Sequence, residues 1–255
     1  MKRVVVIADL HCGHAAGLVP PAYRSQMFGD RIFALQSALW DEYARIIKSL
    51  QPIHLLIANG DLIDGKGIRS GGTELITTDR VKQCKMAIES IELAEADNVR
   101  IIRGTPYHAG VEEDWEDLIA KEVGAKIGDH EWFDVDGVVF DCKHKISASS
   151  IPHGRGTPLA KEWLWNTIWH NEREQQPLAN VYIRSHVHYY YDCGSVDWRA
   201  ISTPALQAAA TKFGAKLCSG TVHWGLVWFD IEDGRFEWHW HTQVVEEQKV
   251  KAEVI

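Results

Sequence analysis

Short apolar runs recur at residues 4–8, 55–58, 99–102, 138–140 and 181–183. Each has the length of a strand and is rich in β-branched side chains, so each predicts a buried β-strand. Between them the apolar positions change to spacings of three and four. Ile32, Leu35, Leu39, Tyr43, Ile46 and Leu50 form one stripe on a helix that Pro52 terminates. Asp79 predicts the cap of a second helix carrying Val81, Ile88 and Ile91, and Trp115, Leu118 and Ile119 mark a third that Gly124 closes. A fourth helix is expected over 159–170. After Val181 strands dominate: 224–229 reads as a buried strand, and Glu232-Asp233-Gly234 as the turn into an alternating one. In that last strand Phe236, Trp238 and Trp240 share one face, and Glu237, His239 and His241 the other. Strands alternating with helices, followed by a run of strands, predict an α/β protein around two packed sheets. No repeat or Pro/Ser-rich linker interrupts the pattern, so one domain is expected over 1–245, with a short polar tail at 246–255.

The 255 residues are 45% hydrophobic and 24% charged, which excludes disordered, collagen-like and small disulfide-stapled classes. No apolar stretch approaches the roughly 20 residues needed to span a bilayer. Asp9 and His11 break the N-terminal apolar run too early for a secretory signal. Cys12, Cys84, Cys142, Cys193 and Cys218 are scattered without a C-x-x-C pair, and read as reduced thiols of a cytoplasmic protein. Acidic residues outnumber basic ones, 35 to 27, so no basic stripe is expected to hold a long nucleic acid. A polyanionic substrate then needs local positive charge, which bound metal ions can supply.

The residues that follow the early strands are uniform in chemistry. The first run leads into Asp9 and His11, the second into Asn59, Gly60, Asp61 and Asp64, and the third into Gly104, Thr105 and His108. The fourth leads through Asp141 to His144, and the fifth to His186 and His188. Ligands of open α/β sheets bind at the carboxyl ends of strands. Carboxylates and imidazoles there suit Mn²⁺, Fe or Zn²⁺, and no thiolate of a structural zinc site accompanies them.

These residues resemble the calcineurin-like metallophosphoesterases. The matching blocks are Asp9-Leu10-His11 for D-x-H, Gly60-Asp61-Leu62-Ile63-Asp64 for G-D-x-x-D, His144 for an isolated histidine, and Ser185-His186-Val187-His188 for G-H-x-H, in family order. The resemblance implies a two-layer mixed β-sandwich flanked by helices around two divalent metal ions, Mn²⁺ first, with Fe, Zn²⁺ and Ni²⁺ as alternatives. It implies Asp9, His11, Asp61 and His188 as ligands of one metal and Asp61, His144 and His186 of the other, with Asp61 bridging. The compact size and the segment 203–207 also resemble phage-encoded or prophage members, which implies a bacterial host cytoplasm.

Two departures from the family pattern matter. Its third block is G-N-H, with the asparagine on the second metal and the histidine at the leaving group, whereas here it reads Gly104-Thr105-Pro106-Tyr107-His108. Thr105 is thus a candidate ligand of the second metal or of a water, or merely shapes the turn before Pro106. His108 is the candidate general acid, and Asp64 the carboxylate that orients it. Gly65 also stands where related protein phosphatases carry a phosphate-gripping arginine, for which Lys66 or Arg69 could substitute. Other signals carry less. Gly60 to Lys66 begins a phosphate-binding loop, but Gly67 stands where Ser or Thr must hold Mg²⁺. His239 and His241 could bind a metal but read first as solvated, His14, His153 and His223 could line the cleft but read first as exposed loop histidines, and Trp163, Trp165 and Trp169 read as core.

The expected function is a dinuclear metal-dependent phosphoesterase that hydrolyses phosphodiesters, of a nucleotide or a nucleic-acid end, by metal-activated hydroxide. The alternatives are a phosphomonoesterase or protein phosphatase, and a non-catalytic scaffold of the same fold. The expected partner is a phosphorylated small molecule or strand end, with no membrane and with the oligomeric state open.

Overall fold

The computed structural model describes residues 1–67, 71–110, 114–149, 151–173, 175–209, 221–243, 246 and 252–253. In chain order its strands are β1 (Lys2–Ile7), β2 (Leu55–Asn59), β3 (Val99–Ile102), β4 (Lys126–Gly128), β5 (His130–Val135), β6 (Val138–Lys145), β7 (Val181–Ser185), β8 (Tyr191–Gly194), β9 (Arg199–Ser202), β10 (Trp224–Glu232) and β11 (Arg235–Gln243). The helices are α1 (Asp30–Leu50), α2 (Arg80–Glu92), α3 (Pro106–Ala109), α4 (Trp115–Glu122) and α5 (Gly156–Arg173).

Two mixed sheets result. The first has the order β11-β10-β1-β2-β3-β4, with β1 to β4 parallel and β10 antiparallel to β1. The second has the order β5-β6-β7-β9-β8, parallel across β6, β7 and β9 and antiparallel at both edges. Parallel neighbours need crossovers, and α1, α2 and α4 lie in those that join β1 to β2, β2 to β3 and β3 to β4.

The continuous apolar run of β1 follows from burial on both faces. Val4 and Val6 join Ile57, Phe140, Ile183 and Phe229 between the sheets, while Val5 and Ile7 pack with Leu35, Leu39, Tyr43 and Ile47 of α1. Phe140 and Phe229 meet edge-on across the sandwich, ring centroids 5.0 Å apart. Asp79 caps α2 by accepting from the N–H groups of Val81 and Lys82, as its position predicts. Helix α5 covers the outer face of the second sheet, where Trp163 stacks on Trp198.

Two expectations need correction. Trp165 and Trp169 are 56% and 40% exposed, because the buried face of α5 is narrow and their positions fall beside it. His241 is not a solvated histidine: its Nε2 lies 3.1 Å from Glu42 of α1. Trp240, at the rim of the face it shares with Phe236 and Trp238, stacks on Tyr190. Strands β4, β5, β8 and β9 were not individually predicted: β4, β8 and β9 are three or four residues long, and β5 reads His-Glu-Trp-Phe-Asp-Val. Among the described residues no helix is long and apolar enough to cross a membrane. Most of the tail at 246–255, together with Arg69 and Cys218, lies outside the described residues.

Candidate metal centre

The loops after β1, β2 and β7 share an unusual backbone. Asp9, His11, Asp61, His186 and His188 all have positive φ, at 52°, 44°, 51°, 73° and 55°. Non-glycine residues avoid this region at a cost of order 1–3 kcal/mol each, and persist there when the surroundings hold them. Here the β1–β2 pairing continues past the strands. The N–H groups of Asp9, His11 and Cys12 donate to the carbonyls of Gly60, Asp61 and Leu62, each at 3.0 Å. Two glycines make the close approach possible: a Cβ on Gly60 would fall on His144 Nδ1, and one on Gly104 on the backbone nitrogen of Asp61.

This backbone brings the six predicted ligands together. Potential ligand atoms converge in three groups, Asp9 with His11 and His188, Asp61 with His144 and His186, and His11 with Asp61 and His108, each within 4.8 Å. Asp61 belongs to two of them, so its carboxylate is shared between the pair His144 and His186 and the pair His11 and His108. His188 Nε2 is 3.3 Å from Asp9 Oδ1 and 3.3 Å from His11 Nε2. His144 Nε2 is 3.0 Å and His186 Nδ1 3.7 Å from Asp61 Oδ2.

The partners of the outer ring nitrogens fix where the inner lone pairs point. His144 Nδ1 lies 2.6 Å from the Asn59 carbonyl, which can only accept, so Nδ1 carries the proton and Nε2 faces Asp61. His11 Nδ1 lies 2.9 Å from Asp64 Oδ1, which leaves Nε2 to the cluster. Asp9 Oδ1 and His144 Nε2 are buried without a hydrogen-bond partner. Carboxylate oxygens and imidazole nitrogens crowded together in a buried cluster suit an interposed cation, so the donor set fits divalent metals.

Protonation follows the same crowding. Burial is the largest effect on His11 and, with the neighbouring His108, lowers its pKa to about 4, so its imidazole is neutral. Burial opposes the charge on His144, yet the Asp61 carboxylate outweighs it and raises the pKa to about 10. Burial likewise opposes the Asp61 charge, and His144 and His186 overcome it, holding this carboxyl well below its ordinary value.

Around the clusters the structure redistributes two expected roles. Thr105 Oγ1 lies 3.0 Å from Asp61 Oδ1, and the Thr105 N–H donates to the same oxygen at 2.6 Å, so Thr105 holds the carboxylate. Asp64 contacts His11 more closely than His108, whose Nδ1 is 3.6 Å from its carboxylate and 3.0 Å from its backbone carbonyl. His14 is 6% exposed rather than a surface histidine, because Glu74 O and Ala16 N tie its loop against the site. His153 is exposed, and His223 Nδ1 accepts from the Tyr190 N–H. A further residue escaped the sequence reading. Glu116 of α4 is fully buried and accepts from the N–H of Leu62 at 2.9 Å and of Gly104 at 2.6 Å, clamping the loops of Asp61 and Thr105. Burial, the largest effect, raises its pKa to about 8.

The clusters open onto a cleft of about 970 Å³ whose lining includes Arg103, Tyr107, His108, Lys143, Lys145, Arg155 and Tyr189. Lys66 is not in that lining, although Gly67 is.

The described chain superposes on Vps29 from Chaetomium thermophilum with a TM-score of 0.51 at 12% identity, over 95% of this chain and 98% of that one. The chain has the Vps29 fold. Its two mixed sheets with flanking helices are the architecture the resemblance implied. Vps29 from Entamoeba histolytica, in a structure complexed with Zn²⁺, aligns at 12% identity over 94% of this chain and 99% of that one, TM-score 0.47. An archaeal phosphodiesterase aligns at 12% identity over 94% and 100% of the two chains, also with a TM-score of 0.47. No protein-family profile and no curated protein sequence matches the chain.

Proposed function

We propose that the protein is a metal-dependent phosphoesterase that binds two divalent ions and hydrolyses phosphodiesters such as a nucleotide or a strand end. The observation that carries this reading is the buried convergence of the potential ligand atoms of Asp9, His11 and His188 beside those of Asp61, His144 and His186. In this reading Asp9, His11, Asp61 and His188 hold one ion and Asp61, His144 and His186 the other, Mn²⁺ being the first choice. Such a pair, when bound, polarises the phosphoryl oxygens and activates water near neutral pH.

The protein's own groups supply the rest. Thr105 fixes the Asp61 carboxylate through two hydrogen bonds, and Asp64 fixes the tautomer of His11. His108 is committed through Nδ1 to the Asp64 carbonyl, so Nε2 is the atom that faces the cleft and passes a proton to the departing alkoxide. A diester carries one negative charge where a monoester carries two, and Gly65 offers no guanidinium. Comparing kcat/KM for matched nitrophenyl mono- and diesters at fixed Mn²⁺ tests the reading. The diester should compete with the monoester. A monoester preference above about tenfold, equivalent to about 1.4 kcal/mol, reverses the ranking. Hydrolysis of neither by metal-loaded protein turns the assignment to a non-catalytic scaffold.

A further inference from the structure

Among the described residues four lysine and arginine side chains line the cleft, and the fold engages two of them itself. Arg103 is paired with Asp114, Asp117 and Asp129, at 3.2, 2.6 and 3.5 Å. Lys143 lies 3.0 Å from Glu162, which also holds the buried Arg184. Lys145 and Arg155 have no carboxylate partner among the described residues. Lys145 is an exposed, flexible point charge, whereas Arg155 is fixed.

Arg155 follows the turn at Pro152–Gly154 and precedes α5. Its guanidinium lies over the Tyr189 ring, Cζ 4.1 Å from the centroid, and Nη1 donates to Thr221 Oγ1 at 3.1 Å. Tyr189 is buried and directly follows His188 of the metal cluster. The ring contact and the Thr221 bond together hold the guanidinium in place. Its Nε is sealed from solvent and has no acceptor among the described residues. Arg24 and Arg199 also carry an unpartnered Nε, but each is ion-paired through another nitrogen, to Asp41 and Asp192, and neither lines the cleft. In Arg155 alone of these three does a preoriented guanidinium in the cleft lack an anion.

We infer that Arg155 is the phosphate-recognising residue of this cleft, presenting its guanidinium to an oxyanion of the substrate. A guanidinium held in place in a cleft without an anion suits an oxyanion, because the arginine fork matches phosphate oxygens in pairs. The inference rests on the phosphoesterase reading for the nature of the anion. That anion is either the scissile phosphate or a second phosphate on the same molecule, and the chemistry is shared. It also qualifies the argument from Gly65: the positive charge missing after β2 is supplied from the turn before α5.

The test uses the full chain equilibrated with Mn²⁺, as wild type, Arg155→Ala and Arg155→Lys. Inorganic phosphate binding is measured by calorimetry, and kinetics with nitrophenyl esters of thymidine 5′-phosphate, with and without a 3′-phosphate. Arg155→Ala should weaken phosphate binding and raise KM at least tenfold, with metal content and circular dichroism unchanged and kcat changed less. Arg155→Lys should recover only part of the loss, because an ammonium cannot bind two oxygens in a fixed plane. An increase in KM for both esters assigns Arg155 to the scissile phosphate, and an increase only for the 3′-phosphorylated ester assigns it to a second phosphate. Phosphate affinity and both KM values within twofold of wild type in Arg155→Ala overturn the inference while leaving the phosphoesterase reading standing. No hydrolysis by wild type, with Arg155-dependent phosphate binding intact, does the reverse.

Discussion

His144 points its Nε2 at Asp61 Oδ2 from 3.0 Å while its Nδ1 proton is held by the Asn59 carbonyl. In the metal-free protein this contact gains from a proton on Nε2, and a divalent ion must displace that proton to bind. Metal loading should therefore release protons. Asp61→Asn removes the carboxylate shared by two clusters, so bound Mn²⁺ should fall from more than one ion per chain to one or fewer by elemental analysis. Stoichiometry unchanged by the substitution removes Asp61 from the ligand set.

Asp64 holds His11 by its outer nitrogen. Loss of such a partner usually costs about 10–100-fold in metal affinity. Asp64→Asn should reduce Mn²⁺ affinity by this factor, read by competition with a fluorescent chelator, with the metal-free melting temperature little changed. Equal affinity in both proteins would show that His11 is oriented without Asp64.

His108→Ala separates two roles that geometry brings close, since His108 also lies within ligand reach of His11 and Asp61. As the leaving-group acid, its loss should lower turnover about 10²–10⁴-fold at unchanged metal content. The deficit should shrink for nitrophenolate, which needs no proton to depart. A loss of one ion per chain makes His108 a ligand instead.

Glu116 gives the fold a pH signature. Its carboxyl is protonated more readily in the folded chain, at about 8, than the ordinary value of 4.5. Its contribution to stability is thus fully present below about 4.5 and is lost as pH rises through 8. The slope approaches 1.4 kcal/mol per pH unit at most, for one proton. Urea unfolding of metal-free protein between pH 5 and 9 should show this decline. Glu116→Gln should flatten it, whatever its effect on absolute stability, and a slope retained in the variant assigns the decline to other groups.

The strands and the metal candidates were legible for one reason: the apolar runs of β1, β2 and β7 pass directly into Asp9, Asp61 and His186, so chemistry and local pattern coincide in sequence. Glu116 was not legible because its role comes from packing between loops 54 and 12 residues away. Asp64 was legible as an orienting carboxylate, but periodicity does not say which of two imidazoles it meets. Thr105 stood out as a departure, yet its hydrogen bonds to Asp61 depend on the close approach that Gly104 permits. The exposed Trp165 and Trp169 show the reverse: apolar character does not bury a side chain that has no facing surface.

The left-handed turns at Asp9, His11, Asp61, His186 and His188 make the site a loaded spring, tensioned during folding and before any ion arrives. Glycine would relax each turn and aspartate or histidine would not, so stability and chemistry pull these five positions in opposite directions. A screen of this protein for heat resistance alone should therefore drift toward glycine at these turns, and its most robust survivors should be those that have stopped holding metal.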